Sequence, residues 1–276
     1  MSYLKLWLVD AFTNTPFQGN PAGVCLLNDF LPDHTMQAIA SQLNWSETTF
    51  VVQKSANHFH IRWFSPRDEA PMCGHATLAA AHILWQEKKN LANSIVFDSL
   101  SGPLLASRND SWITLNFPKK DTLPCAMPEK LAKALGPVSI HSVYRDDLLY
   151  VVELASSKEV ATLTPQLSII EQLDCRAVVV TSQGVDGYDF VSRYFAPKVG
   201  IPEDPVCGSA HCRLAPYWSE RLNKTHMLAY QSSARGGILK VSLDTDRVFL
   251  SGQARTVAHG ELDLNTISVQ TIRAVA

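Results

Sequence analysis

The sequence has little net charge and no long apolar run. Its 276 residues carry a formal net charge of −2 at pH 7, from 24 Lys and Arg against 26 Asp and Glu. Because nucleic acids and anionic membranes attract basic surfaces, this balance favours neither of them as a partner. No apolar stretch reaches the roughly 18 residues that would suggest a membrane-spanning helix. We therefore expect a protein that binds neither nucleic acid nor membrane.

The sequence also lacks the spacings of a zinc site or an exported disulfide scaffold. Its six cysteines include no Cys-x-x-Cys pair, and Cys207 and Cys212 are five residues apart. His75 and His82 are seven residues apart, with no carboxylate at ligand spacing. The first residues show neither the charged region nor the long apolar region of a signal peptide. These absences predict reduced thiols, a cytoplasmic location, and no metal or cofactor.

Two segments of the chain, residues 64–76 and 195–210, resemble each other. Each has the pattern of a strand, a turn, Pro-x-Cys-Gly and an Ala-rich stretch, with Cys73 and Cys207 at matching positions. The two cysteines lie almost half the chain apart, which indicates a duplicated domain rather than a solenoid with shorter repeats. The predicted pseudo-symmetric domains are 1–118 and 119–265, with a last strand near 266–276 that returns to the first domain.

The segment that follows Cys73, residues 76–85, is apolar almost all round. A helix without a polar face is buried on every side, which in a domain of this size means that a sheet curls around it. We therefore predict an α+β fold in which each domain is a mixed β-sheet barrel around a central apolar helix. The second copy carries Pro216, which we expect to shorten or bend its helix. Another helix is expected over residues 34–43, with Asp33 as its N-cap.

Gly74 and Gly208 stand at the expected starts of the two central helices. A helix N-terminus presents unpaired N–H groups with partial positive charge, and glycine allows a ligand to approach them closely. Two such ends facing one cleft would bind a carboxylate and favour the thiolate form of Cys73 and Cys207. Two facing thiols are one way to remove a proton from one side of a carbon and return one to the other. The alternative is that both cysteines are small core residues.

Glu47 is the other candidate for chemistry. It lies between a predicted helix and an apolar strand, with Trp45 and Phe50 close to it in sequence. A carboxyl group in such surroundings is a candidate general acid or base, and a glutamate that caps the start of a strand is the alternative. Arg235 is a weaker candidate, as a group that binds a substrate carboxylate.

Five motifs occur in order over roughly the first 210 residues. They are Asp-Ala-Phe-Thr at 10–13, Pro-Phe-Gln-Gly-Asn-Pro at 16–21, Ser-Glu-Thr at 46–48, Cys-Gly-His-Ala-Thr at 73–77 and Glu-Asp-Pro-Val-Cys-Gly-Ser-Ala at 203–210. In these motifs and their spacing the chain resembles the PhzF-like (phenazine biosynthesis PhzF) isomerases, within the diaminopimelate epimerase-like fold. The resemblance implies two barrel-like domains with the site between them, in agreement with the repeat and the apolar helix.

The resemblance also implies roles for individual residues and a homodimer. The glutamate of Ser-Glu-Thr, here Glu47, would move a proton between carbons of a small carboxylic acid without a cofactor, in a site shaped by His75, Asp204 and Ser209. The expected catalytic residues are Glu47, His75, Asp204, Cys73 and Cys207, and the expected substrate-binding residues are Gly74, Gly208, Ser209 and Asn20.

One departure from the family pattern leaves two mechanisms open. Relatives with the glutamate commonly have Thr where this chain has Cys207, whereas the epimerase branch has Cys in both halves. Against that branch, the first motif here reads Cys-Gly-His-Ala instead of Cys-Gly-Asn-Gly. We expect an isomerase centred on Glu47. A two-thiol amino-acid racemase or epimerase using Cys73 and Cys207 is the alternative, and a non-catalytic protein that binds small acids is the second.

Overall fold

The computed structural model describes residues 3–88 and 90–264, which form a large sheet and a few helices. The strands are β1 (Tyr3–Ala11), β2 (Asn20–Leu27), β3 (Glu47–Ser55), β4 (His58–Phe64), β5 (Glu69–Ala70), β6 (Ser94–Ser99), β7 (Gly102–Asn109), β8 (Trp112–Pro118), β9 (Leu123–Pro124), β10 (Ile140–Arg145), β11 (Leu149–Leu154), β12 (Ala177–Gln183), β13 (Phe190–Ala196), β14 (Ile201–Asp204), β15 (His226–Gln231), β16 (Gly237–Asp244), β17 (Arg247–Gly252) and β18 (Ala254–Asp263). The α-helices are α1 (Asp33–Leu43), α2 (Gly74–Glu87), α3 (Glu129–Leu135), α4 (Ser157–Thr162), α5 (Leu167–Ile170) and α6 (Gly208–Leu222).

The strand pairing of the first half is repeated in the second half. From β1 to β8, the pairs β1–β2, β3–β4, β6–β7 and β7–β8 are antiparallel, and the pairs β2–β3 and β4–β6 are parallel. From β10 to β17, the pairs β10–β11, β12–β13, β15–β16 and β16–β17 are antiparallel, and β11–β12 and β13–β15 are parallel. The same pairing in the same order confirms the predicted α+β fold, with one mixed sheet whose two halves repeat each other.

Three further pairings join the two halves. Strand β8 pairs antiparallel with β17, β9 pairs with β10, and β18 pairs with β1. The strand that ends each half therefore runs beside the strand that begins the other half. The return to β1 is made by residues 254–263, which the sequence-based boundaries had assigned to the second domain. The expected strand near 266–276 lies outside the described residues, and the boundaries 1–118 and 119–265 stay a prediction.

Helix α2 is enclosed because it has almost no polar face. Every residue from His75 to Ala81 is buried, and the helix contacts β1, β2, β3, β8 and β18. Residues 79–81 are all alanine, which lets the strands come close to the helix axis. Burying a side chain such as Leu78 or Ile83 contributes about 1.5–3 kcal/mol. This is the buried central helix that the sequence predicted.

Helix α6 is not shortened by its proline, so that part of the expectation is wrong. It has 15 residues against 14 in α2. Pro216 has no N–H to donate to the carbonyl of Cys212, a loss that normally breaks or kinks a helix. Here the N–H of Lys120, in the segment between β8 and β9, donates to the Cys212 carbonyl oxygen at 3.1 Å. The helix continues to Leu222 because the missing hydrogen bond is replaced from outside it.

Helix α1 begins at Asp33 itself, so the predicted N-cap role of this residue is wrong. Pro32 occupies the N-cap position, without a side-chain cap hydrogen bond. The Asp33 carboxylate instead accepts a hydrogen bond of 2.7 Å from Arg62 of β4. Arg62 also donates two hydrogen bonds to Glu69 of β5. The aspartate therefore ties the first turn of α1 to the sheet.

Both central helices pack into one continuous apolar core with side chains from both halves, such as Leu84 of α2 and Leu214 of α6. Two smaller clusters lie under α1 and under the short helices α3 to α5. The shared core fixes the starts of α2 and α6 relative to each other. Within residues 3–88 and 90–264, no helix is both long enough and apolar enough to cross a membrane.

Candidate active site

The starts of α2 and α6 meet inside the molecule. Cys73 is the N-cap residue of α2 and Cys207 is the N-cap residue of α6, and both have extended backbone. A Cβ atom on Gly74 would lie 3.7 Å from the Cα of Gly208, and a Cβ on Gly208 would lie 3.7 Å from the Cα of Gly74. The two glycines therefore place the two helix starts in van der Waals contact, with a cysteine at each.

Neither of these helix starts is capped by a side chain, and neither has an acidic residue in its first turn. The first N–H groups of a helix have no partner within the helix and carry partial positive charge. Two such ends side by side form a suitable binding place for an anion such as a carboxylate. Gly74, His75, Gly208 and Ser209 provide the first two residues of each helix.

Glu47 reaches the start of α2 because of where β3 begins. It is the first residue of β3, which runs parallel to β2 with Glu47 opposite Ala22. The Oε2 atom of Glu47 lies 3.1 Å from Nε2 of His75, the second residue of α2. The side chains of Glu47 and His75 are 13% and 6% exposed, so little water reaches the pair.

Cys73 completes a cluster with Glu47 and His75. The Sγ atom of Cys73 lies 3.5 Å from Nδ1 of His75. One donor atom from each of the three residues lies within 4.8 Å of the others. The Glu47 oxygen is close to Nε2 but off the direction of the ring N–H, so this nitrogen has no aligned hydrogen-bond partner among the described residues.

Burial and charge have opposite effects on His75. Burial alone would lower its pKa, but the acidic groups of Cys73 and Glu47 outweigh burial and hold the pKa of His75 well above its usual range. Burial, reinforced by Glu47, raises the pKa of the Cys73 thiol. The nearby Glu47 therefore favours the protonated imidazole, whereas burial favours the neutral form of the Cys73 thiol.

Asn20 joins the two halves beside this cluster. Its Nδ2 donates to Oδ1 of Asp204 at 2.6 Å and to the carbonyl of Val206 at 3.0 Å, and its Oδ1 accepts from Oγ of Ser46 at 3.2 Å. Asn20 is fully buried, and Ser46 directly precedes Glu47. Both amide hydrogens of Asn20, a residue expected to bind substrate, are thus engaged within the protein. They hold Asp204 in place relative to the start of β3.

Asp204 brings a second acidic group towards the histidine. Burial raises the pKa of Asp204, the charge on His75 opposes that rise, and Glu47 adds to it. The same carboxyl oxygen that Asn20 binds also accepts from the N–H of Val206 at 3.2 Å. His75 is therefore under the influence of carboxyl groups from both halves.

Gln231, which the sequence analysis missed, fixes the segment that leads into α6. Its Oε1 accepts from the N–H of Cys207 at 2.9 Å, and its Nε2 donates to the carbonyl of Asp204 at 2.6 Å. The Sγ atom of Cys207 lies 3.2 Å from Oγ of Ser209, and burial raises the pKa of the Cys207 thiol. Only the folded chain brings Gln231 to this segment, because a glutamine in a strand has no local sequence signal.

Arg235 is engaged within the protein through Nε and Nη2, and its expected contact with a substrate carboxylate stays a prediction. Its Nε donates to the carbonyl of Gly19 and its Nη2 to the buried Asp10, each at 2.7 Å. Nη2 also donates to the carbonyl of Gln18 at 3.1 Å, and Asp10 accepts from the N–H of Phe17. Arg235 therefore fastens the turn before Asn20 to the second half.

Relatives of known sequence share this arrangement of the chain. A sequence model of the phenazine biosynthesis-like proteins (PhzC-PhzF) matches residues 9–260. An uncharacterized isomerase from Halalkalibacterium halodurans is 46% identical over 265 residues, which cover 95% of this chain and 99% of that protein. Relatives that carry this name support an enzyme of the isomerase class.

Solved structures agree with the sequence relatives. A PhzF-family protein from Enterococcus faecalis has a TM-score of 0.91 and 40% identity, covering 95% of this chain and 100% of that one. A predicted epimerase from Pseudomonas aeruginosa has a TM-score of 0.71, covering 94% and 99% of the two chains, and at 22% identity it shows the fold alone. Together they confirm the predicted epimerase-like fold. The chain therefore belongs to the phenazine biosynthesis-like (PhzC-PhzF) family.

Proposed function

We propose that this isomerase moves a proton between carbon atoms of a small carboxylic acid, with Glu47 as the group that takes up and returns the proton. The observation that carries the proposal is the contact of 3.1 Å between Glu47 and His75 at the start of α2. An acid or base must be held close to the reacting carbon, and here the carboxylate lies beside two helix N-termini suited to the substrate's own carboxylate. The reaction needs no cofactor, because the carboxylate of Glu47 is itself the proton carrier.

His75 supports this role as a charged neighbour. Against the effect of burial, the acidic groups of Cys73 and Glu47 hold the pKa of His75 above its usual range, which favours the protonated imidazole. A positive charge next to the reacting carbon stabilises the negative charge that develops when the C–H bond loses its proton. The buried surroundings strengthen this interaction, since little water is present to screen it. Glu47 and His75 thus act as a pair, the first moving the proton and the second stabilising the intermediate.

The helix starts give the substrate its orientation. The free N–H groups at Gly74, His75, Gly208 and Ser209 are the donors that we assign to the substrate carboxylate. Asp204, from the second half of the chain, is held by Asn20 and Gln231. A carboxylate fixed between the helices would present its acidic C–H groups to Glu47, which makes a cyclic or amino-acid-derived acid the expected substrate class.

The two-thiol racemase is the second candidate, because each thiol is the N-cap of one of two touching helices. That mechanism needs one thiolate as the base. Burial raises the pKa of both Cys73 and Cys207 instead, so both are neutral thiols near pH 7. A binding protein without catalysis is the third candidate. It would need the helix N-termini but not the buried Glu47–His75 pair.

Deuterium exchange tests the three candidates. The protein is incubated in D₂O with the small acids that co-purify with it and with a panel of cyclic and amino-acid-derived acids. The deuterium content of each acid is then measured by mass spectrometry. We expect wild type to place solvent deuterium on carbon, and Glu47→Gln to slow the exchange by about 10²–10⁴-fold. The matched variant Cys207→Thr, which removes one thiol, should keep the exchange. Binding of the same acids by calorimetry checks that Glu47→Gln is folded.

Two outcomes would overturn the proposal. Exchange that is lost in Cys207→Thr and kept in Glu47→Gln would assign the reaction to the thiols. Acids that bind without any exchange in wild type would identify a binding protein. The homodimer and the cytoplasmic location expected from the sequence stay predictions, and light scattering of the purified protein checks the first.

A further inference from the structure

Two arginine–glutamate pairs occupy matching positions in the two halves. In the first half, Arg62 of β4 is followed seven residues later by Glu69 of β5. In the second half, Arg193 of β13 is followed ten residues later by Glu203 of β14, across a loop that is three residues longer. Each glutamate lies four residues before the cysteine that is the N-cap of a central helix. The pairs are therefore a repeated feature of the duplicated scaffold.

Both pairs have the same two-point geometry. Nε and Nη2 of Arg62 donate to Oε1 and Oε2 of Glu69, each at 2.7 Å. The same two nitrogen atoms of Arg193 donate to Oε1 and Oε2 of Glu203 at 2.7 and 2.9 Å. Two parallel hydrogen bonds between a planar guanidinium and a carboxylate fix the orientation of the partners as well as their distance. None of the four side chains is more than 24% exposed, so water screens the pairs only in part.

Each arginine is itself held by further contacts. Nη1 of Arg62 donates to Asp33, the first residue of α1, at 2.7 Å. Nη1 of Arg193 donates to the carbonyl oxygen of Leu163, directly after α4, also at 2.7 Å. Each guanidinium also lies over the ring of the phenylalanine two residues later in its strand, at 5.1 Å and 4.9 Å from the ring centre. Each glutamate therefore binds an arginine that a neighbouring helix and the sheet already hold in place.

The chain that follows each glutamate carries groups of the candidate active site. Glu203 and Asp204 are adjacent at the end of β14, so their side chains point to opposite faces of the sheet. On one face Glu203 binds Arg193, and on the other Asp204 binds Asn20. In the first half, residues 70–72 are the whole link between the glutamate and the N-cap of α2. A movement of either glutamate is thus transmitted over a few residues to the start of a central helix.

We propose that the pairs Arg62–Glu69 and Arg193–Glu203 are positioning pairs, each of which holds the start of one central helix against the start of the other. The two starts are in van der Waals contact at their glycines, which prevents them from moving closer together. Each pair anchors the link in front of its helix, which prevents the starts from moving apart. The four residues act through the segments that they hold and do not themselves touch the substrate.

The consequence for the reaction rests on the proposed function. Proton transfer requires the carboxylate of Glu47 and the acidic C–H of the bound acid to be held at a defined distance. A misplacement of about 1 Å can slow such a reaction by about 10²-fold. Loss of either pair should therefore slow the exchange of deuterium by about 10–10²-fold, although Glu47 itself is unchanged. The positioning does not depend on the reaction, because it concerns only the two helix starts.

Alkylation of the two N-cap cysteines reports on the helix starts without any substrate. The protein is kept reduced with a phosphine and treated with iodoacetamide for increasing times, and peptide mass spectrometry gives the labelling rate of each cysteine. Cys73 and Cys207 are only 6% and 7% exposed, so the reagent reaches them when a helix start opens. Cys25 of β2 is fully buried and reports on unfolding of the whole protein instead.

The same substitution in the two halves provides matched variants. Glutamine keeps one acceptor oxygen, so Glu69→Gln and Glu203→Gln each lose one hydrogen bond to a charged group. We expect Glu69→Gln to raise the labelling rate of Cys73 by about 10-fold, the factor that corresponds to one such bond, and to affect Cys207 less. Glu203→Gln should show the reverse preference. Glu153→Gln, which changes a carboxylate 16% exposed that contacts the later part of α6, should change neither rate.

Arginine variants and the exchange reaction complete the test. Arg62→Lys and Arg193→Lys keep the positive charge but cannot form two parallel hydrogen bonds, so they should reproduce the pattern of the glutamine variants. Deuterium exchange is measured with whichever acid of the panel the wild type exchanges. We expect both glutamine variants to be slowed and Glu153→Gln to keep the wild-type rate.

Four results separate this inference from the proposed function. Rates that rise equally at Cys73, Cys207 and Cys25 would show that the pairs only stabilise the whole fold, which overturns the inference. Unchanged rates at both N-cap cysteines would overturn it as well. Wild-type exchange through Glu47 together with an absent labelling pattern would refute this inference alone. The expected labelling pattern in a protein that exchanges no acid would refute the proposed function alone.

Discussion

Asn20 allows a sharp test of how the two halves are joined. The substitution Asn20→Asp keeps the shape of the side chain and replaces the donor Nδ2 with an acceptor oxygen. In the wild type that nitrogen lies 2.6 Å from Oδ1 of Asp204 and 3.0 Å from the carbonyl oxygen of Val206. The variant therefore places a carboxylate against a second carboxylate and a carbonyl, at a fully buried position. We expect a large loss of stability that depends on pH.

The magnitude follows from the two lost hydrogen bonds. A hydrogen bond to a charged group contributes about 1.5–3 kcal/mol, and one to a carbonyl contributes about 0.5–1.5 kcal/mol. The free energy of unfolding should fall by about 2–4 kcal/mol at neutral pH, before any repulsion between the carboxylates is added. Burial already raises the pKa of Asp204 in the wild type. A second carboxylate raises the pKa of the pair further, because the two groups then share one proton.

The sign of the pH effect follows from that raised pKa. In the unfolded chain the two aspartates titrate near about 4. In the folded variant the two carboxyl groups keep one shared proton up to a higher pH. The stabilisation that this proton provides is therefore present at acid pH and is lost as the pH rises through the pKa of the folded pair. The loss of stability relative to wild type should therefore be clearly smaller at pH 5 than at pH 8.

Urea unfolding followed by tryptophan fluorescence at several pH values measures this difference. Asn20→Ala loses the same hydrogen bonds without adding a charge, so its loss of stability should change little with pH. Asn28→Asp adds the same charge at an exposed position and should stay within about 0.5 kcal/mol of wild type. A loss of less than about 1 kcal/mol for Asn20→Asp, or a loss equal at pH 5 and pH 8, would refute the reasoning.

Two further predictions concern α6. Pro216→Ala should change the free energy of unfolding by less than about 1 kcal/mol, because Lys120 already satisfies the Cys212 carbonyl. A gain near the 3 kcal/mol typical of removing a helix-interior proline, measured by urea unfolding, would contradict this explanation. Burial lowers the pKa of His211 to about 4. The unfolded histidine titrates near about 6.5, so this residue should stabilise the fold above that pH and lose its contribution as the pH falls towards 4. His211→Gln should flatten the measured loss of stability between pH 6.5 and pH 4, and the exposed His226→Gln should not.

The features predicted correctly from the sequence are those that depend on residues close together in the chain. The repeated Cys-Gly steps marked the N-caps of the two central helices, and the unbroken apolar run after Cys73 marked a helix enclosed by strands. Both signals are local, because a helix without a polar face has no other stable position in a folded protein. Glu47, predicted to lie between a helix and an apolar strand, is the first residue of β3.

The wrong or missing predictions all depend on partners far away in the chain. Pro216 predicts a break in the helix because the compensating donor, the N–H of Lys120, is 96 residues earlier and is not visible in the local sequence. Asp33 reads as an N-cap because its partner Arg62 belongs to a strand that only the fold brings near. No feature of the neighbouring sequence predicts the role of Gln231. Local chemistry sets the elements, and tertiary contacts decide which polar groups each element must satisfy.

The duplicated scaffold holds a site that is not symmetric, and this asymmetry bears on the reaction. Three matching positions carry different residues in the two copies. The first residue of the third strand is Glu47 in the first half and Ala177 in the second. The third residue before the cysteine is Ala70 or Asp204, and the second residue after it is His75 or Ser209. A racemase that works through two equivalent thiols makes equal use of both halves. Among residues 3–88 and 90–264, the buried carboxylate–histidine pair occurs in the first half alone, which favours a proton carried by one group, Glu47, along one face of the substrate.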